Sequence, residues 1–169
     1  MLNIYIPSIS KNIPSNILNS ITMQTLKGNI TIVDNVFPDE PVKHQRIAMV
    51  KNVAREAAIK SGCDFMICHD ADIEDLFPDN FEKLQDFLNK NSDYGAVSLM
   101  RMRSLIPSSF HICDGVIMIR RQALEFLNFN FIPNCCDCIS VKKSLNTQGF
   151  KYDYVDDLIR VKHLHRKLL

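Results

Sequence analysis

The sequence predicts an α/β protein, a three-layer α/β/α sandwich around a mostly parallel mixed sheet. Three observations carry that expectation. Short runs of β-branched and other apolar residues alternate with stretches of helical periodicity. Turn-forming residues separate them. The chain has 169 residues, 46% of them hydrophobic, which suits one domain able to bury roughly 70% of its unfolded surface.

Residues 2–6 read as a strand closed by Pro7-Ser8, and residues 13–26 as a helix with Ile13, Ile17, Leu18, Ile21 and Leu26 at helical spacing, ended by Gly28-Asn29. A β-branched strand at 30–33 stops at Asp34-Asn35, before a loop holding Pro38 and Pro41. Residues 46–60 form a helix whose packed face is Ile47, Val50, Val53, Ala54, Ala57 and Ala58, ended by Gly62. Residues 64–68 are the third strand. Beyond it come a helix at 78–88, a strand at 94–100, a loop through Pro107, a strand at 112–119, short helix 122–127, helix 139–147 ended by Gly149, and an extended segment from Tyr152 to His165. In open sheets of this kind ligands bind beyond the carboxyl ends of the strands, where Pro7-Ser8, Asp34-Asn35 and Asp70-Ala71-Asp72 all fall.

Composition excludes several classes. A net charge of +1 argues against a nucleic-acid protein held by a broad basic field. Arg160, Lys162, Arg166 and Lys167 form a local basic C-terminus, with peripheral membrane contact as one reading of it. No apolar run approaches the roughly 20 residues a bilayer span needs, and the N-terminus lacks a signal pattern, so a cytoplasmic protein with reduced thiols is expected. Of the six cysteines, Cys63, Cys68 and Cys113 read as small buried hydrophobes. Cys135, Cys136 and Cys138 lack the second clip of a structural zinc site.

The densest chemistry lies in Cys68-His69-Asp70-Ala71-Asp72, after the apolar run Phe65-Met66-Ile67. In an extended backbone Asp70 and Asp72 face the same way with a rise of about 6.6 Å between them, and could share one cation. The bland alternative is a polar strand end. Lys51, Asn52 and Arg55 share a helix, and Asn52 and Arg55, three apart, interrupt a small-residue face where they could hold a base or phosphate. His163 and His165 are two apart and would share a face if extended.

The order of these features resembles the GT-A fold glycosyltransferases, particularly glycosyltransferase family 2, over nearly the whole chain. Asp34 after the second strand, Lys51-Asn52 on the next helix, and Asp70-Ala71-Asp72 after the third strand stand in that family's order. Asp114-Gly115, Arg120-Arg121, Asp137 opening a helix, and Gly149-Phe150 match its later features, with His163 or His165 where a further metal ligand is expected.

The resemblance implies a single catalytic domain over residues 1–169, with a nucleotide-binding half at about 1–72 and an acceptor half at about 73–169. It implies transfer of a sugar from a nucleotide-diphosphate donor to an acceptor hydroxyl, with Mn2+ or Mg2+ as cofactor. Asp72 would be the direct metal ligand and Asp70 would touch the ribose or donor sugar, roles that could be exchanged. His163 or His165 would complete the metal shell, and Pro7, Ser8, Asp34, Asn52, Arg55, Asp70 and Ala71 would line the donor site. Asp137 would be the general base of an inverting reaction; its alternative is an N-cap for the following helix. The family often has a second carboxylate beside this one, where the chain has Cys136. A nucleotidyltransferase is the rival enzyme reading, weakened because Pro7-Ser8-Ile9-Ser10-Lys11 has no glycine. A degenerate binding module is the non-enzymatic one.

Overall fold

A computed structural model of the chain describes all residues except 9–11, 35, 36, 38, 102–114, 131–137 and 164–169. Strand β1 (Leu2–Pro7) is buried along its length. It runs parallel to β2 (Asn29–Val33) on one side and β3 (Phe65–His69) on the other, so that Ile4 lies between Ile30 and Ile67. The connections are helical: α1 (Ser15–Thr22) leads to β2, and α2 (Lys43–Ser61) crosses over to β3. On the far side of β3 lie β6 (Val116–Arg120) and β5 (Tyr94–Arg101), each antiparallel to its predecessor. Next, β7 (Lys151–His163) runs parallel to β5, and β4 (Ile73–Asp75) closes the sheet antiparallel to β7. Among the described residues the strand order is β2-β1-β3-β6-β5-β7-β4. Five strands therefore point one way and only β4 and β6 the other.

Alternation along the strands divides the core in two. Tyr5, Met66, Cys68, Ile117 and Ile119 face α2, α4 (Arg121–Leu124) and α5 (Cys138–Thr147), which contribute Ala54, Ala58, Leu124 and Leu145. Ile4, Ile6, Ile67 and Met118 face the other way, onto Ile17 and Ile21 of α1 and Phe81, Leu84 and Leu88 of α3 (Asn80–Lys90). These are the two helical layers expected of the sandwich. Cys63 and Cys68 are fully buried in the first of them, as small apolar side chains. Gly62 and Gly149 end α2 and α5 in the left-handed region, at φ 69° and 79°, where a side chain would be strained.

Several boundaries differ from the sequence expectation. Pro14 starts α1 late, and the chain leaves it at Met23 because Gln24 and Thr25 turn to meet the chain before α3: Gln24 Nε2 donates to Phe77 O at 3.0 Å and Thr25 N–H to Pro78 O at 2.7 Å. Gly28 is thus no helix stop. It lies where the chain passes against β1, and a Cβ there would come within 2.9 Å of Leu2 O. The three-residue β4 was not expected at all. Arg160 is not a surface charge of the basic C-terminus: it is 5% exposed, its Nη1 lies 3.2 Å from Asp79 Oδ1, and its guanidinium stacks 5.3 Å from the Phe77 ring centre. The Arg120 of the basic pair likewise turns inward, donating to the carbonyls of Leu88, Asn91 and Tyr94 at the end of α3.

Close packing gives a direct test. A Cβ on Gly95 in β5 would lie 2.8 Å from Phe150 Cβ and 2.9 Å from Ala123 Cβ. Neither neighbour is the free end of a flexible side chain, so Gly95→Ala overpacks the junction of β5 with α4. A loss of about 1–3 kcal/mol is expected in denaturant unfolding, and an unchanged midpoint would contradict this packing.

Candidate functional site

Because β1, β2 and β3 are parallel, their carboxyl ends share one edge of the sheet. Pro7 pairs with Val33, and the Ser8 N–H donates to Val33 O at 2.9 Å, so Pro7 and Ser8 are buried between β2 and β3. Asp34 follows, exposed to solvent. The chain beyond β3 enters the same edge, where the Asp70 N–H donates to Gly115 O at 2.8 Å just before β6 begins. The strand order 2-1-3 reverses direction between β1 and β3, which is where doubly wound sheets open a ligand crevice.

Asp70 and Asp72 do not extend from β3 as assumed from the sequence. The strand ends at His69, and Asp70-Ala71-Asp72-Ile73 forms a turn closed by the Ile73 N–H donating to Asp70 O at 3.2 Å. Both carboxylates and Ala71 are half-buried. The turn leads into β4, whose first residue Ile73 pairs with His163 of β7. The register therefore sets the His163 backbone one residue from Asp72, although ninety residues of sequence lie between them. Asp137, His165 and the Asp114 of the expected Asp-Gly pair lie outside the described residues, as does the His163 side chain.

Asp70 faces α2. Its Oδ1 lies 3.0 Å from Lys51 Nζ, and the lysine side chain is only 1% exposed against 29% for the aspartate. An ammonium taken out of water needs such a partner. Lys51 Nζ also sits 5.8 Å from the centre of the Phe129 ring. Asn52 and Arg55 are engaged by backbone groups of the segment after α4. Asn52 Nδ2 donates to Phe129 O at 2.8 Å while its Oδ1 accepts the Phe129 N–H at 3.1 Å, and Arg55 donates to Leu127 O. Their side chains thus anchor the segment after α4 against α2. That segment reaches α5, since the Asn130 N–H donates to Ser140 Oγ at 2.9 Å. Ser140 lies in the first turn of α5, three residues after Asp137, so this turn is tied through Phe129 to the Lys51–Asp70 pair.

Sequence reasoning missed the polar cluster beneath the turn. His69 is fully buried, with Nδ1 3.0 Å from Asp70 O and Nε2 3.0 Å from Asp75 Oδ2. Asp75 Oδ1 accepts from Asn80 Nδ2 at 2.8 Å, and the same amide lies 3.2 Å from Arg160 O. The signal was a histidine at a buried strand position, which must find polar partners. Both ring nitrogens face acceptors, and a neutral imidazole has only one N–H to give. Burial opposes a charge on the ring, but the Asp75 carboxylate and the Asp70 carbonyl outweigh it and hold His69 above the usual imidazole range. A raised folded value means that this pair's stabilisation is complete below the unfolded value of about 6.5 and is lost as pH rises through the folded one. The His69 ring resonances should titrate above about 6.5, with unfolding free energy declining across that step; titration below it would contradict the pairing.

Among the described residues no three His, Cys, Asp or Glu side chains are gathered as a ready metal cage. The donor chemistry nevertheless fits a hard divalent cation: two partly exposed carboxylates in one turn, at a strand edge where His163 also ends.

The sequence matches no protein-family model, and no curated protein matches it. Solved structures do match. S. aureus TarS 1–349 in complex with UDP aligns with a TM-score of 0.68 at 13% identity, over 97% of this chain and 60% of that one. The mannosyltransferase PcManGT from Pyrobaculum calidifontis, in complex with GDP-Man and Mn2+, aligns with 0.71 at 16%, over 99% and 57%. A glycosyltransferase involved in glycosylation of the major capsid of PBCV-1 aligns with 0.64 at 13%, over 96% and 91%. The chain has the fold of the GT-A glycosyltransferases. It spans about three fifths of the first two of these relatives and nine tenths of the third.

Proposed function

We propose that the chain is a metal-dependent glycosyltransferase that moves a sugar from a nucleotide-diphosphate donor to an acceptor hydroxyl. One observation carries this reading: on a GT-A sheet, the ends of β1, β2 and β3, the acidic turn, and the end of β7 all meet at one edge. The relatives solved with UDP and with GDP-Man and Mn2+ support it.

In this reading residues 1–72 bind the donor, with Pro7 and Ser8 in the floor of the crevice and Asp34 at the base or ribose. Asp72 would be the direct ligand for Mn2+ or Mg2+, with His163, at the end of β7, or His165 completing the shell. Asp70, oriented by Lys51, holds the ribose or donor sugar. The cation, when bound, neutralises the diphosphate as the sugar departs. Asp137 takes the proton of the acceptor hydroxyl as its oxygen attacks the anomeric carbon and the nucleoside diphosphate leaves, which inverts that centre. Residues 73–169 supply the acceptor side. No described helix is long and apolar enough to cross a membrane.

Thermal unfolding with Mn2+ and a panel of nucleotide sugars tests this. Stabilisation by one nucleoside diphosphate series only when Mn2+ is present, with slow hydrolysis of the matching donor, is the expected result. No shift with any member would contradict donor binding, and a shift without hydrolysis or transfer would leave a binding module and overturn the catalytic reading.

A further inference from the structure

The carbonyl of Asp70 accepts twice, from the Ile73 N–H at 3.2 Å and from His69 Nδ1 at 3.0 Å. The first bond closes the turn that carries Asp72. The second holds the turn against a ring that cannot itself move, because the other ring nitrogen is bonded to Asp75, and both side chains are 0% exposed. The ring also meets Phe81 edge-on, with centroids 6.3 Å apart.

Asp75 is fixed in turn from three directions. Its N–H donates to Ser20 Oγ of α1, its Oδ1 accepts from Asn80 of α3, and its backbone pairs with Val161 of β7. The neighbouring Arg160 reaches Asp79, and Asn80 Nδ2 bonds the Arg160 carbonyl. His69 is therefore the point at which α1, α3 and β7 jointly set the backbone of an otherwise half-exposed turn.

We propose that His69 is a positioning residue: its Nδ1–H bond to the Asp70 carbonyl, braced by Asp75, sets the conformation of the Asp70–Ile73 turn and thereby the affinity of the site for a divalent cation with a nucleoside diphosphate. The affinity clause rests on the reading under Proposed function; the conformational clause does not.

Two variants separate this role from mere packing. In His69→Asn the side-chain amide takes the place of Nδ1 and keeps a donor near Asp70 O, while losing Asp75. In His69→Gln the amide reaches towards Asp75 and gives no donor at the Nδ1 position. Both break one half of the bridge, so both lower overall stability, and thermal midpoints do not discriminate. The discriminating readout is native-state hydrogen exchange of the Ile73 amide relative to that of Ile67 in the middle of β3. For His69→Gln this ratio should rise at least about tenfold, the equivalent of one lost hydrogen bond, and for His69→Asn it should stay within about threefold of the parent.

Calorimetric affinity for Mn2+ with UDP or GDP should follow the same order. An unchanged ratio in His69→Gln, or an equal rise in both variants, overturns the positioning role. A parent that binds neither nucleotide, with the exchange ratios as expected, refutes the donor reading and upholds the positioning of the turn. Parent-like affinity in His69→Gln despite a loosened turn overturns the link between turn and ligand.

Discussion

Asp72→Asn should abolish Mn2+-dependent stabilisation by a nucleoside diphosphate and reduce sugar transfer at least about a hundredfold, while leaving the fold intact. The magnitude follows from the several kcal/mol that a bound cation contributes to charge stabilisation, at 1.36 kcal/mol for each factor of ten. Asp72 is the informative position because it is half-buried in a turn and Asp→Asn keeps the size of the side chain, so the thermal midpoint without ligand serves as the control for the fold. Asp70 is less clean, since its carboxylate also partners the buried Lys51 at 3.0 Å, so Asp70→Asn disturbs stability and ligand binding together. The check is the thermal shift with Mn2+ and donor together with a transfer or donor-hydrolysis rate. An Asp72→Asn protein that keeps its Mn2+ response would exclude Asp72 as the ligand.

Asp75→Ala should destabilise the fold severely. The side chains of Asp75 and His69 are both fully buried and lie 3.0 Å apart. Removing the carboxylate leaves a buried imidazole nitrogen without its partner and takes from the Asn80 amide one of its two acceptors. Deleting one member of a buried pair costs about 3–5 kcal/mol, a large share of the total stability of a domain this size. Denaturant unfolding of the variant against the parent measures it. A loss below about 1 kcal/mol would mean that the pair does not brace β4 against β3 and α3.

Much of the fold was legible because local pattern and global position agree. The runs that became β1, β3 and β6 are apolar on both faces, as strands covered by two helical layers must be, and the alanines of α2 mark a face that lies close to the sheet. What was not legible depends on partners distant in sequence. Ile73-Glu74-Asp75 is too short to show a period of two, and it is a strand only because β7 returns beside it. Asp70-Ala71-Asp72 alternates as a strand would, yet the carbonyl of Asp70 is captured by Ile73 and His69, which bends the chain into a turn.

The backbone partners of the polar residues on α2 were not legible for a related reason. Asn52 and Arg55 interrupt an apolar face, which suggested a ligand, whereas their partners are carbonyls 77 and 72 residues further along the chain. A buried side chain with hydrogen-bonding capacity is more economically satisfied by backbone than by an external group. Arg160 stood among other basic residues and read as part of a local basic C-terminus. Strand alternation sets it on the face opposite Val161, and only the fold brings Asp79 and Asn80 to that place.

Locating the cation tests the central claim most directly. Crystals grown with Mn2+ and a nucleoside diphosphate, measured at the manganese absorption edge, should give one anomalous peak within bonding distance of an Asp72 carboxylate oxygen, beside the end of β7 and against the diphosphate. A peak away from this edge of the sheet, or nucleotide bound with no manganese at Asp72, would contradict the account.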